Sequence, residues 1–100
     1  MSYNVIFHPD AKKELDALDG SIRLLVLKLI KKIGDNPYLG TELGNVAGMD
    51  LTGYRKIYAD RKRIRLVYTI IEKKVMVYII AIGERDKNKV YKVANRRKLD

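Results

Sequence analysis

Residues 54–82 read YRKIYADRKRIRLVYTIIEKKVMVYIIAI. Three runs rich in Tyr, Ile and Val are parted by two short charged interruptions. Tyr54–Ala59, Arg63–Ile71 and Val75–Ile82 are therefore read as strands. Ala59-Asp60-Arg61-Lys62 and Glu72-Lys73-Lys74 are the turns. Connections this short cannot carry the chain across a sheet, so the strands form an antiparallel meander. In the middle strand Ile64, Leu66, Tyr68 and Ile70 take one face, and Arg63, Arg65, Val67, Thr69 and Ile71 take the other. The last strand is apolar on both faces, which predicts a central or covered position.

Upstream, residues 3–7, YNVIF, read as a short first strand. Pro9 suits a first helical turn, and His8 reads as a helix-start residue rather than a catalyst. A helix is predicted over 9–19 with Ala11, Leu15 and Leu18 on one side. Gly20 and Ser21 break it, and Ser21 is the expected N-cap of a second helix over 22–33. There Ile22, Leu25, Val26, Leu29, Ile30 and Ile33 keep the helical period. The two helices form an antiparallel hairpin. Residues 34–53 hold five of the seven glycines and Pro37. They read as a long irregular connection tethered by Leu39, Leu43, Val46, Met49 and Leu51. Downstream, Asp86 is expected to cap a basic helix over 87–97. The order is βααβββα: an α+β fold with an N-terminal helical hairpin packed on a small, mainly antiparallel sheet and a C-terminal basic helix.

The length of 100 residues suits one domain, 1–100, burying roughly two-thirds of its unfolded surface. No run of ~18 apolar residues suggests a membrane span, and the N-terminus lacks a signal-peptide pattern. Cysteine is absent, which fits a reducing cytoplasm. Charge is the informative total. Residues 1–53 carry six Lys and Arg against seven Asp and Glu; residues 54–100 carry fifteen against five. The whole excess of +9 thus lies in the second half. Such asymmetry suggests a polyanion, nucleic acid first, against the simpler reading of a solvated lysine surface.

One His and no Cys leave no usual metal site, and no carboxylate pair has a suggestive spacing. No cofactor or metal is expected. Chemistry would have to come from Lys, Arg and Tyr. Alternation puts Tyr54, Lys56 and Tyr58 on one face of their strand. Arg63 and Arg65 share a face of the next, Arg85 follows the third, and Tyr91 lies on the helix beyond. Arg65 interrupts an apolar strand, where an unpaired cation is costly. Either Glu72 or Glu84 pairs with it, or it borders an open concave site. Tyrosines are core or edge residues more often than stacking platforms. Cations interleaved with tyrosines are nonetheless what a single-stranded RNA site uses.

NPYLGTELGNVAGMDLTGYRKIYADRKRIRLVY at 36–68 and IAIGERDKNKVY at 80–91 together resemble the RelE/ParE superfamily of toxin–antitoxin toxins over nearly the whole chain. RIRLVY is similar to that family's R-x-x-Y strand, and IGERDKNKVY to its I-G-x-R-x-x-x-x-V-Y ending. RelE-type members cleave mRNA in the ribosomal A site. ParE-type members inhibit DNA gyrase and have generally lost the cleavage residues. The resemblance implies a site of Lys56, Arg65, Arg85 and Tyr91. The family's second strand lysine falls on Tyr58, a departure from the pattern. It also implies attack of an RNA 2′-OH on the adjacent phosphate, with Arg65 and Arg85 as fixed cations, Lys56 or Tyr58 as base, and Tyr91 stacking on or orienting a nucleobase. Arg55, Arg61, Arg63, Lys87 and Lys89 are the further RNA-binding candidates. The expected partners are a cognate antitoxin and mRNA on the ribosome, with no membrane; a homodimer is compatible. The alternatives are a gyrase inhibitor without nuclease activity and a non-toxic RNA- or antitoxin-binding homologue.

Overall fold

The computed structural model describes residues 2–99, so the expected domain begins and ends one residue outside them. The chain runs β1 (Asn4–Phe7), α1 (Pro9–Asp16), α2 (Gly20–Asp35), a 3-10 turn (Pro37–Leu39), β2 (Thr41–Glu42), β3 (Asn45–Val46), β4 (Met49–Asp50), β5 (Tyr54–Ala59), β6 (Ile64–Ile71), a second 3-10 turn (Glu72–Lys74), β7 (Met76–Glu84) and α3 (Lys89–Arg97). The main sheet has the order β1-β7-β6-β5-β2, and β3 and β4 form a separate hairpin. The meander is antiparallel as expected, while β1 runs parallel to β7.

Both faces of the sheet are covered. On one face Ala11, Leu15, Val26, Ile30 and Ile33 of the helical hairpin pack on Leu66, Tyr68, Val77, Ile79 and Ile82. On the other, Val90, Tyr91 and Ala94 of α3 pack on Leu51, Tyr54, Val67, Ile80 and Ala81. Each fully buried aliphatic side chain contributes about 1.5–3 kcal/mol. The central place of β7 explains its doubly apolar sequence. Its alternation is broken once: Tyr68 opposes Ile79 and Val67 opposes Ala81, so Ile80 is an extra residue. This bulge puts Ile80 and Ala81 together on the α3 side.

Local chemistry shifts several expected boundaries. His8 is the N-cap of α1, its Nδ1 accepting from the Asp10 amide at 3.1 Å. The break between helices falls at 17–19, not at Gly20–Ser21. Asp19 is the N-cap of α2, and Ser21 lies inside the helix with its hydroxyl donating to Asp19. Leu25 is 45% exposed, so it does not serve the core as the periodicity suggested, and Leu39 at 46% is not the tether expected of it. The connection at 34–53 is more ordered than its glycines implied. Tyr68 in β6 is fully buried; its hydroxyl donates to Pro37 O at 2.7 Å and accepts from Gly40 N at 2.8 Å. A Cβ on Gly40 would stand 2.5 Å from that hydroxyl, so only glycine fits.

The β5–β6 turn is unusual. Asp60, Arg61 and Lys62 have φ of 50°, 55° and 71°, and Arg63 N donates to Asp60 O at 3.0 Å. Left-handed backbone costs a non-glycine residue roughly 1–2 kcal/mol. Three in succession make the hairpin tip a strained segment. The last helix starts later than expected: its N-cap is Asn88, without a side-chain capping bond, and Asp86 precedes it.

Candidate nucleic-acid interface

Strand pairing assembles the site. Tyr58 of β5 lies directly opposite Arg65 of β6, and Lys56 opposite Val67. Lys56, Tyr58 and Arg65 therefore share the face covered by α3. Arg65 is only 5% exposed. Its guanidinium donates to Lys87 O at 3.1 Å and to the Tyr58 hydroxyl at 3.3 Å. It lies 4.3 Å from the Tyr91 ring centroid and 5.3 Å from that of Tyr58. The left-handed φ of 48° at Lys87 belongs to the turn that brings its carbonyl to Arg65. Arg65 Nε has no hydrogen-bond partner. Among the described residues no carboxylate pairs with Arg65. Glu72 instead accepts from the Tyr3 and Tyr38 hydroxyls. Of the two readings the sequence left open for Arg65, an internal ion pair is excluded within the described residues.

The Tyr58 hydroxyl also accepts from Lys56 Nζ at 3.2 Å. Lys56, Arg85 and Lys62 stand 5.1, 5.8 and 6.0 Å from its ring centroid. Donation from Lys56 is the chief cause that lowers the Tyr58 phenol to about 8; desolvation opposes it, and donation and charge from Arg65 add to the lowering. The Lys56 ammonium is pushed up, chiefly by its bond to Tyr58. The phenol is thus the group readied to lose a proton, and the lysine is held charged.

The two tyrosines differ. Tyr58 is half-buried, with its hydroxyl at the centre of the cations. Tyr91 is 5% exposed, with Arg65 against its ring. The resemblance implied that Tyr91 stacks on or orients a nucleobase; here its ring is buried with the Arg65 guanidinium against it. α3 is held for this at its far end. Arg97 donates to both Glu14 carboxylate oxygens at 2.8 and 3.1 Å and to Ile80 O at 3.0 Å. Glu14 accepts from Ile82 N at 3.1 Å. Beyond the end of β1 these two side chains occupy the β7 edge that β1 leaves unpaired.

The further candidates scatter. Arg55 points away, its guanidinium paired with Glu42 at 3.0 Å and donating to Gly40 O at 2.7 Å. It secures β2 and lies apart from the Lys56 cluster. Arg61 and Arg63 line a groove with Leu25 and Asp60 against α2. Lys89 lines another with Glu14, Asp86 and Val90. Lys87 joins the site through its carbonyl. Lys62, not singled out in the sequence, joins it through its side chain. Only the turn geometry brings it in, and no pattern in Asp-Arg-Lys announces that.

The end of the sheet thus gathers Lys56, Lys62, Arg65 and Arg85 round one phenol, on an α+β fold. Residues 5–89 match the family model described as ParE toxin of type II toxin-antitoxin system. A RelE-like toxin protein of Escherichia coli is 33% identical over 100 residues, covering 97% of this chain and 98% of the relative. The mRNA interferase toxin RelE of E. coli K12 is 31% identical over 97 residues, with the same coverage. Among solved structures, an arginine-to-alanine double mutant of E. coli RelE in the free state has a TM-score of 0.78 at 30% identity, covering 99% of this chain and 100% of that one. The toxin in the intact E. coli RelBE toxin-antitoxin complex has 0.69 at 28%, covering 85% and 99%. The chain belongs to the RelE/ParE superfamily, on its RelE-like branch: a toxin of a toxin–antitoxin system, with relatives named as mRNA interferases.

Proposed function

We propose that this chain is a ribosome-dependent mRNA endonuclease that cuts in the A site by attack of the 2′-OH on the adjacent phosphate. The observation that carries this is the cluster of Lys56, Arg65 and Arg85 round the Tyr58 phenol, with no carboxylate pairing among the described residues. The reaction needs a base for the 2′-OH proton, positive charge for the phosphorane oxygens, and an in-line geometry. Tyr58 as phenolate takes the proton. The O2′–P bond forms as the P–O5′ bond breaks, giving a 2′,3′-cyclic phosphate and a 5′-OH whose proton comes from Lys56 or water. Arg65 and Lys56 neutralise the equatorial oxygens, and Arg85 stands by the leaving oxygen. An arginine is too weak an acid to act as donor or base itself. Tyr91 positions Arg65. Alignment of the nucleotide is left to the ribosome, which fits so little apparatus in 100 residues.

Relatives crystallised with RelB antitoxins support a cognate antitoxin as partner, one with an acidic segment able to cover the cations. The working compartment is the cytoplasm, where ribosomes are. The test is purified protein with programmed ribosomes and an mRNA, cleavage mapped by primer extension. Cuts in the A-site codon support the reading. Intact mRNA together with DNA breaks in cells expressing the protein would favour a gyrase inhibitor instead.

A further inference from the structure

Four cations stand within 6.0 Å of the Tyr58 ring centroid. Three are accounted for by the reaction just described. The fourth, Lys62, comes from the β5–β6 turn. Its place depends on three successive left-handed residues, none of them glycine. Among the described residues it pairs with no carboxylate. Charges of one sign crowded like this repel until an anion arrives. One bridging phosphate carries a single negative charge, which Lys56, Arg65 and Arg85 already outnumber. The turn joins the end of β5 to the start of β6, so Lys62 lies further along the sheet end than Lys56, two residues inside β5 from Tyr58.

We propose that Lys62 binds the substrate phosphate next to the scissile one, and so contributes affinity for the RNA chain rather than chemistry. This rests on the endonuclease reading. The left-handed turn carries Lys62 to the side of Tyr58, while its neighbour Arg61 lines the groove on the α2 side.

The experiment compares the unmodified chain with Lys62→Asn and Lys62→Arg on programmed ribosomes at several salt concentrations. Asparagine tolerates left-handed backbone, so the turn is kept while the charge is lost. The expected result for Lys62→Asn is a KM raised several-fold, kcat within about two-fold, and a log KM against log salt slope shallower by about 0.7, one phosphate contact on a single strand. Lys62→Arg restores the slope. An unchanged KM and slope in Lys62→Asn would overturn the proposal, leaving Lys62 a solvated surface charge. Absence of cleavage by the unmodified chain would instead sink the endonuclease reading. Lys62 is then tested on binding of a single-stranded RNA oligonucleotide, where an unchanged slope again overturns the proposal.

Discussion

Lys56 and Tyr58 lie two residues apart on one strand face and share a proton donor bond of 3.2 Å. The pair has a directional consequence: the ammonium is pushed up and the phenol down to about 8. Near neutrality the lysine stays charged, and the tyrosine is the group that titrates.

A pH profile follows. If Tyr58 is the base, kcat/KM for mRNA cleavage rises about ten-fold per pH unit from 6 and levels off near 8. Tyr58→Phe removes this limb and lowers the plateau by at least ~10-fold. A profile flat from pH 6 to 9 in the unmodified protein would exclude the assignment.

Stability follows the same group with the opposite emphasis. The folded phenol at about 8 lies below the ordinary unfolded value near 10. Tyr58 therefore adds no ionisation stability below pH 8, gains it between 8 and 10, and holds it fully above 10. Denaturant unfolding of the unmodified protein and Tyr58→Phe should show their difference growing in that window only.

Tyr91 separates ring from hydroxyl. Its ring lies against Arg65 at 4.3 Å. Tyr91→Phe keeps this contact and should retain most activity, whereas Tyr91→Ala frees the guanidinium and costs at least ~10-fold in kcat. Equal losses in both would show that the hydroxyl, not the ring, is what matters.

The ion pair between Glu14 and Arg97 joins residues 83 apart in sequence. Both side chains are largely buried, at 30% and 17% exposed. Glu14→Gln should destabilise by about 1–3 kcal/mol in thermal unfolding. A double-mutant cycle with Arg97→Met should return a coupling of similar size. Additive losses would mean that the pair is incidental.

Tyr68→Phe removes one hydroxyl that serves Pro37 O and Gly40 N. Both backbone groups lose that bond, and the expected cost is about 1–3 kcal/mol with m unchanged.

The meander and the faces of β5 and β6 were legible because alternation is a strict geometric rule. It put Lys56 and Tyr58 on one face of β5 and Arg65 on a face of β6; that the two faces coincide follows from the strand register. The bulge at Ile80 was hidden because both faces of β7 are apolar, so a slip leaves no mark in the pattern. β2, β3 and β4 were hidden because two residues make no period. The turn was the largest loss to the site. Arg61 and Lys62 have no preference that announces left-handed backbone, so Lys62 could not be assigned a direction. Tyr91 was placed near the cations, but its burial depends on how a short basic helix docks, which its own sequence does not state.

The carbonyl of Ile80 is met by a guanidinium rather than by a neighbouring strand. A side chain carried on a helix can withdraw where a paired strand cannot. Departure of α3 would therefore bare that carbonyl, strand the Glu14 carboxylate without its cation, and strip Arg65 of the ring beside it, all in a single displacement. One docked helix makes sheet edge and cation pocket a single unit, intact or disassembled together.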